Sequence, residues 1–358
     1  MNEPANAPLE RSRRLAVLAE GQLDFHHGKT AVSILRYKPE EVVAVIDSEH
    51  AGETVRNVLG FDLDVPIVAS VEDTFQWSPT AVLIGIAPRG GGLPAEWRPQ
   101  LLQALAHGLD IISGLHYMLN DDQELVRAAR RSNSRLIDVR QPPDAIEVAD
   151  LAPHRPGSTV VTFVGSDCAV GKMTAALEIA AAARRLGLST EFVATGQTGI
   201  MLEGTGITVD RVIGDFMSGA VEGLVNEAAA RADWVFVEGQ GSLLHPAYSG
   251  VTLALLHGSS PDAMVLVHQA GHDQIDEYPV VIPPLERLVQ IYEDAAGWVK
   301  PARVVAIALN TRGLNEAETR EAIAAAEAAT GLPVADPVKS GGDILVSAIV
   351  RSRQLTGP

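Results

Sequence analysis

One cysteine in 358 residues, Cys168, excludes an intrachain disulfide and a cysteine-built zinc cluster. A reducing cytoplasm is the compartment expected for such a chain. Basic charge is also scarce: 28 Lys and Arg stand against 45 Asp and Glu, a net charge of -17. Nucleic-acid binding favours a basic stripe, and none is visible. Arg11-Ser12-Arg13-Arg14 reads as part of a solvated N-terminal tail, and the arginines of Arg127–Arg135 as the solvent face of a helix. No apolar run is long enough to span a bilayer, and no apolar segment near Met1 looks like an export signal. The G-x-G-x-x-G turn of dinucleotide sites and the G-x-S-x-G elbow of serine hydrolases are both missing. What remains is an ordinary globular balance, 46% apolar and 20% charged, in a chain long enough for two domains. These exclusions leave an enzyme or binding protein for small molecules.

Against that background one stretch stands out, Gly165-Ser166-Asp167-Cys168-Ala169-Val170-Gly171-Lys172-Met173-Thr174. It follows the apolar, β-type run Thr159–Val164 and opens a helical run from Met173 to about Leu186. A strand, a glycine-bounded loop with a lysine and a helix N-terminus together bind phosphate. Glycines let the backbone wrap an anion, loop N–H groups and the helix dipole face it, and the lysine adds a full charge. Two departures from the P-loop pattern matter. Five residues rather than four separate Gly165 from Gly171, and Met173 stands where a hydroxyl normally ligates Mg²⁺. Thr174 comes one position late, a helical rotation of about 100°. Phosphate binding is therefore indicated, and hydrolysis of Mg-ATP is not. Cys168 reads as a small residue filling the turn, since no general base is identifiable beside it in sequence.

Strand-like and helix-like segments alternate from end to end, the rhythm of α/β domains with parallel sheets covered on both faces. In the first half Leu15–Ala19, Val42–Ile46, Val65–Ala69, Ala81–Ile86, Asp110–Ser113 and Arg135–Val139 read as strands. In the second half Thr159–Val164, Ser189–Ala194, Trp234–Glu238, Ala263–His268 and Arg303–Leu309 do so, and Glu316–Thr330 is an amphipathic helix closed by Gly331-Leu332-Pro333. Proline-rich breaks at Gln141–Asp144 and Ala152–Gly157 mark the boundary region. The division expected is a tail over 1–14, a first α/β domain over 15–153 and a second, carrying the phosphate loop, over 154–358. Gly28-Lys29-Thr30 echoes the Gly171-Lys172 junction faintly in the first domain.

In open α/β sheets ligands sit beyond the carboxyl ends of the strands. Asp47 ends the strand Val42–Ile46, where a carboxylate can act as a general base, hold a ribose or cap a turn. Glu238 ends Trp234–Val237 at the place of a Walker-B acid, open to Mg²⁺-water, substrate or a structural hydrogen bond. Other strand ends carry Thr195-Gly196-Gln197-Thr198-Gly199, Gly239-Gln240-Gly241-Ser242, Asn310-Thr311-Arg312 and Pro88-Arg89-Gly90. Gln197 and Gln240 are candidates for the phosphate-bearing cofactor. Lys29 and Arg89 are candidates for substrate carboxylates by position alone. His245, His268 and His272 match no zinc spacing and read as scattered polar residues, so no metal site is assigned.

At these residues the chain resembles the DUF1611 proteins, through Gly165–Thr174, Ala194–Gly199, Val237–Ser242, His245-Pro246-Ala247-Tyr248, Gly28–Ala31 and Arg36–Asp47. The resemblance covers nearly all of the chain beyond the tail. It implies a Rossmann-like domain followed by a P-loop domain. The long phosphate loop is also similar to that of dethiobiotin synthetase, which keeps a threonine where this chain has Met173. Members of DUF1611 include D-glutamate N-acetyltransferases, so the resemblance implies acetyl transfer from acetyl-CoA to an amino acid. Coenzyme A carries phosphates that need a cradle and no phosphoryl transfer, which suits a loop without the Mg²⁺ hydroxyl. The expected mechanism is direct transfer in a ternary complex. Asp47 deprotonates the substrate ammonium, Lys172 and the loop amides hold coenzyme A, and the two sheet mouths meet within the chain or across a dimer. Two rivals remain: an ATP-dependent ligase or kinase of dethiobiotin synthetase type, with Asp167 or Glu238 on Mg²⁺, and a nucleotide-sensing module that binds ligand without turnover.

Overall fold

The computed structural model describes residues 13–356 except His26, Ala87 and Arg89, with side chains described as far as Arg353. Contacts divide the chain into two units. The first is 1–143 with 200–208; the second is 144–199 with 209–358. Each is built on a six-stranded sheet in which every pairing is parallel. The α/β class follows directly.

In the first unit the strands are β1 (Leu15–Leu18), β2 (Val42–Ile46), β3 (Ile67–Val68), β4 (Ala81–Ile84), β5 (Asp110–Ser113) and β6 (Leu136–Asp138). Their order across the sheet is β3-β2-β1-β4-β5-β6. All of β1 and β4 is buried, as continuous apolar runs covered on both faces must be. Helices α1 (Lys29–Tyr37), α2 (Val55–Leu59), α3 (Arg98–Ala106) and α4 (Gln123–Ser132) provide the connections. Asp122 caps α4 by accepting from the N–H groups of Glu124 and Leu125. Arg127, Arg130 and Arg131 are exposed on α4, a solvent face as the sequence suggests.

The expected tail needs a correction. Residues 1–12 lie outside the described ones, but Arg13 is buried, paired with Glu41 at 2.8 Å and donating to the Met201 carbonyl at 2.9 Å. Arg14 donates to the carbonyl oxygens of Ser78 and Trp77. Both arginines therefore belong to the folded unit rather than to a solvated end.

The second unit holds β7 (Thr159–Gly165), β8 (Thr190–Val193), β9 (Trp234–Val237), β10 (Ala263–Gln269), β11 (Arg303–Asn310) and β12 (Val334–Ala335), in the order β12-β11-β10-β7-β9-β8. Central β7 is buried over its whole length. Helices α5 (Lys172–Arg185), α6 (Gln197–Glu203), α7 (Met217–Arg231), α8 (Ser249–Ser259), α9 (Leu285–Gly297), α10 (Glu316–Thr330) and α11 (Asp343–Thr356) complete the chain. Asn315 and Glu318 form a reciprocal capping box on α10, and Gly331 closes it in the left-handed region. A core cluster gathers Leu266, Leu288, Tyr292, Ile307 and Leu309 beside β10 and β11.

Residues 144–153 belong to this second unit, ahead of the boundary read from the prolines. Side chains explain why. Glu222 on α7 accepts from the N–H groups of Asp150 and Leu151, His154 bonds Asn226, and Arg155 donates to the carbonyl of Ala229. The segment is strapped along α7 before β7 begins.

Candidate functional site

The phosphate loop is a fixed frame whose carbonyl oxygens are taken one by one. Tyr292, fully buried on α9, donates to Gly165 O at 2.6 Å, and Ser242 Oγ donates to Ser166 O at 2.9 Å. Lys172 Nζ donates to Asp167 O at 2.6 Å, and Asn310 Nδ2 to Val170 O at 3.1 Å. The backbone turns left-handed at Ala169 (φ 57°) and Gly171 (φ 108°), and α5 starts at Lys172 with no side-chain cap. A Cβ at position 171 would be strained at that φ. Successive turns of this kind ahead of an uncapped, fourteen-residue helix form an anion-binding concavity. Lys172 is buried, and Met173 and Thr174 are half-buried on the first turn of α5.

Glu238 and Gln240 stand on the neighbouring strand end. A Cβ at the intervening Gly239 would fall 1.8 Å from Phe163 O, so only glycine lets β9 finish this close to β7. The Glu238 carboxylate accepts from the N–H groups of Thr195 (2.9 Å) and Gly196 (3.2 Å). Burial pushes its pKa up to about 7, opposed by those two N–H groups and by the nearby Lys172 charge. Gln240 Nε2 donates to Thr195 Oγ1 at 3.3 Å, and Gln197 lies at the start of α6. Of the three readings left open for Glu238, the geometry fits the structural one: it splints the Thr195–Gly196 turn.

The histidines that looked scattered converge here. His268 Nδ1 lies 2.9 Å from Ser166 Oγ, and His272 Nε2 lies 2.8 Å from Asp167 Oδ2. Burial, with the neighbouring His272, lowers the His268 pKa to about 4. Asp167 is fully buried and also accepts from the Asp276 N–H. His245, buried, accepts from the Ala247 N–H at Nδ1 and packs on Tyr248 and Tyr278. Ligand-type atoms of Asp167, Cys168 and His245 lie within 4.8 Å of one another, as do those of Asp167, His272 and Asp276. The histidine that the fold brings close to Cys168 is His245, 77 residues away in the chain. Neither Tyr292 nor these contacts had a local sequence signal, because each is made by a distant strand end or helix.

In the first unit Asp47 is fully buried at the end of β2. Its Oδ1 accepts from the N–H groups of Gly21 (3.0 Å) and Glu49 (3.4 Å), and its Oδ2 lies 2.6 Å from His50 Nδ1. His50 is a functional candidate that the sequence pattern does not single out. Its pKa is raised, first by the hydrogen bond to Asp47, against burial. Lys29 is the exposed first residue of α1, and Arg89 lies outside the described residues. Among the described residues no helix is long and apolar enough to cross a membrane.

Comparison with known proteins agrees with this layout. The chain is 36% identical over 328 residues to a D-glutamate N-acetyltransferase of Tritonibacter scottomollicae, covering 91% of this chain and 95% of that protein. It is 37% identical over 267 residues to a D-glutamate N-acetyltransferase of Pseudoalteromonas sp., covering 74% and 80%. A crystal structure of a DUF1611 family protein from Anabaena variabilis superimposes with a TM-score of 0.89 at 40% identity, over 95% of this chain and 100% of that one. Residues 48–142 match the Rossmann-like domain of unknown function DUF1611_N, and residues 147–346 match the P-loop domain of unknown function DUF1611_C. With a Rossmann-like unit followed by this phosphate loop, the chain belongs to the DUF1611 family.

Proposed function

We propose that the chain is an N-acetyltransferase that moves the acetyl group of acetyl-CoA to the amino group of D-glutamate. The observation that carries this reading is the loop Gly165–Thr174: an anion cradle with a buried lysine but with Met173 in place of the Mg²⁺ hydroxyl. Relatives alike over most of their length bear the name D-glutamate N-acetyltransferase, which supports acetyl transfer and the acceptor chosen.

Acetyl-CoA supplies an activated acetyl group. Lys172 would turn from the Asp167 carbonyl to a coenzyme A phosphate, and the first-turn amides of α5 would meet the same charge. Gln197 and Gln240 are proposed to contact the cofactor beside the loop. Lys29 is proposed to pair with a substrate carboxylate. The substrate ammonium must lose a proton before its nitrogen can attack, and the end of β2 at Asp47 is proposed to supply the acceptor. Incubation with acetyl-CoA and D-glutamate should release free thiol in step with N-acetylglutamate, measured by a thiol reagent and mass spectrometry. Thiol release without an acetylated amine, or none at all, overturns the reading.

A second reading, the ATP-dependent ligase or kinase, is favoured by one observation, the Asp167–His272–Asp276 set of donors beside the loop. The chemistry of that set fits Mg²⁺ poorly, since imidazole suits Zn²⁺ or Co²⁺ and Mg²⁺ prefers oxygen. No step is derived through it.

A further inference from the structure

We propose that His50 is the catalytic base that takes the proton from the substrate amine, and that Asp47 is its positioning residue; this rests on the acetyl-transfer reading above. The inference starts from what Asp47 cannot do. A carboxylate with no exposed surface, both oxygens already accepting hydrogen bonds, has no face left for an incoming ammonium. The local sequence explains the arrangement. Asp47 leaves β2 in extended conformation (φ -156°, ψ 109°), and the short turn Ser48–His50 carries the imidazole back over it at i, i+3. The turn is fixed from the other side by Glu20, which accepts from Ser48 N and from Ser48 Oγ.

The geometry divides the labour of a base between two groups. With Nδ1–H donating to Asp47 Oδ2, the free lone pair of the neutral ring is on Nε2. The His50 side chain is 34% exposed, whereas the Asp47 side chain is 0% exposed. A buried carboxylate that fixes the tautomer and stabilises the imidazolium is the role such a residue plays behind a histidine base. The charges that raise the ring's affinity for a proton are acidic: Asp47 and Glu49 in the same turn, and Glu53 just beyond it. Each favours the imidazolium that forms when Nε2 accepts a proton.

Nε2 takes one proton from the ammonium, and the N–H bonding pair becomes the amine lone pair. That pair forms the C–N bond to the acetyl carbon as the C–S bond breaks. The C–S pair leaves on sulfur, which takes the second amine proton, and His50 returns its own proton to water.

The test is the pH profile of kcat/KM for acetyl transfer by the full chain, with acetyl-CoA and D-glutamate. The wild type should show an acid limb above the ordinary histidine value, because the hydrogen bond to Asp47 raises the His50 pKa. His50→Gln should lower kcat at least about a hundredfold and abolish that limb. Its KM for acetyl-CoA should stay within about twofold. Asp47→Asn should move the limb to lower pH by removing the largest cause of the raised value. Added imidazole should restore part of the rate to His50→Ala, which a merely structural turn residue would not allow. A His50→Gln enzyme that keeps the limb and most of its rate overturns the base assignment while leaving acetyl transfer standing. A wild type that neither binds acetyl-CoA nor releases thiol removes the acetyl-transfer reading, and the base assignment with it.

Discussion

Gly28-Lys29 and Gly171-Lys172 each begin the helix that follows the first strand of a six-stranded parallel sheet, and there the similarity ends. Gly171 is left-handed at φ 108° and follows a left-handed Ala169, so the second loop curls around a concavity. Gly28 has an ordinary φ of -83°, and a Cβ there would meet the carbonyl oxygens of Gln22 and Asp24 at 2.8 Å, so the first loop is packed against its own backbone. Lys172 is buried and Lys29 exposed. What the first sheet mouth offers instead is an acid holding a histidine, Asp47 and His50. Topology supplies a mouth in both sheets; backbone conformation and side-chain chemistry make the two mouths differ.

The largest expected effect tests the proton side of that contrast. Asp47→Asn should fold and bind acetyl-CoA normally, yet lose kcat by ~10²–10⁴-fold in a thiol-release assay, because His50 loses the carboxylate that fixes its tautomer. If Asp47 serves only as a turn cap, the cost is about 1 kcal/mol of stability with little loss of rate. Next in size is the anion side. Lys172→Ala should weaken coenzyme A binding about ten- to a hundredfold, or ~1.5–3 kcal/mol, by calorimetry. Lys29→Ala should change that affinity less than about twofold and instead raise the KM for D-glutamate. Equal effects of the two substitutions on coenzyme A would erase the distinction between the junctions.

A smaller effect concerns the frame. Tyr292→Phe removes the buried donor to Gly165 O and the part-buried acceptor for Leu243 N–H, and should cost ~1–3 kcal/mol in a denaturant melt. The histidines of the two mouths offer the finest contrast. His50 should titrate above its ordinary value and His268 near 4, because a carboxylate partner governs the first and burial the second. For His268 the folded pKa lies below the unfolded one. Its contribution to stability is therefore present above about pH 6.5 and is lost as pH falls through 4. Glu238 runs the other way: its folded pKa of about 7 lies above the ordinary 4.5, so its contribution is present below 4.5 and lost as pH rises through 7. Glu238→Gln should flatten that alkaline loss, and His268→Phe the acid one. NMR titration of the ring protons would read the histidines separately.

Much of this was legible before any coordinates. The strands Val42–Ile46 and Asp110–Ser113 and the helix Glu316–Thr330 fall where the apolar periodicity and turn residues put them, since local pattern alone sets such buried runs and capped helices. Two-residue β12 was not read, because a strand that short carries no pattern. Arg13 carries no local sign of its place in the fold, because its partners, Glu41 and Met201, are remote in sequence. The loop Gly165–Thr174 was legible because glycine and lysine spacing encodes a local backbone shape. The gathering of His245, His268 and His272 around it was not, since those contacts depend on which strand ends the sheet order brings together. Asp47 was found by its place at a strand end. His50 was passed over because sequence does not reveal that Asp47 is sealed from solvent.

The measurement closest to the central claim is calorimetric titration of the wild-type protein with acetyl-CoA and, separately, with Mg-ATP, followed by product analysis with D-glutamate. The account predicts that acetyl-CoA binds without added metal, that EDTA leaves transfer unchanged, and that N-acetylglutamate and free thiol appear in equal amounts. Tight binding of Mg-ATP with release of ADP, and no acetylated product from acetyl-CoA, would contradict it.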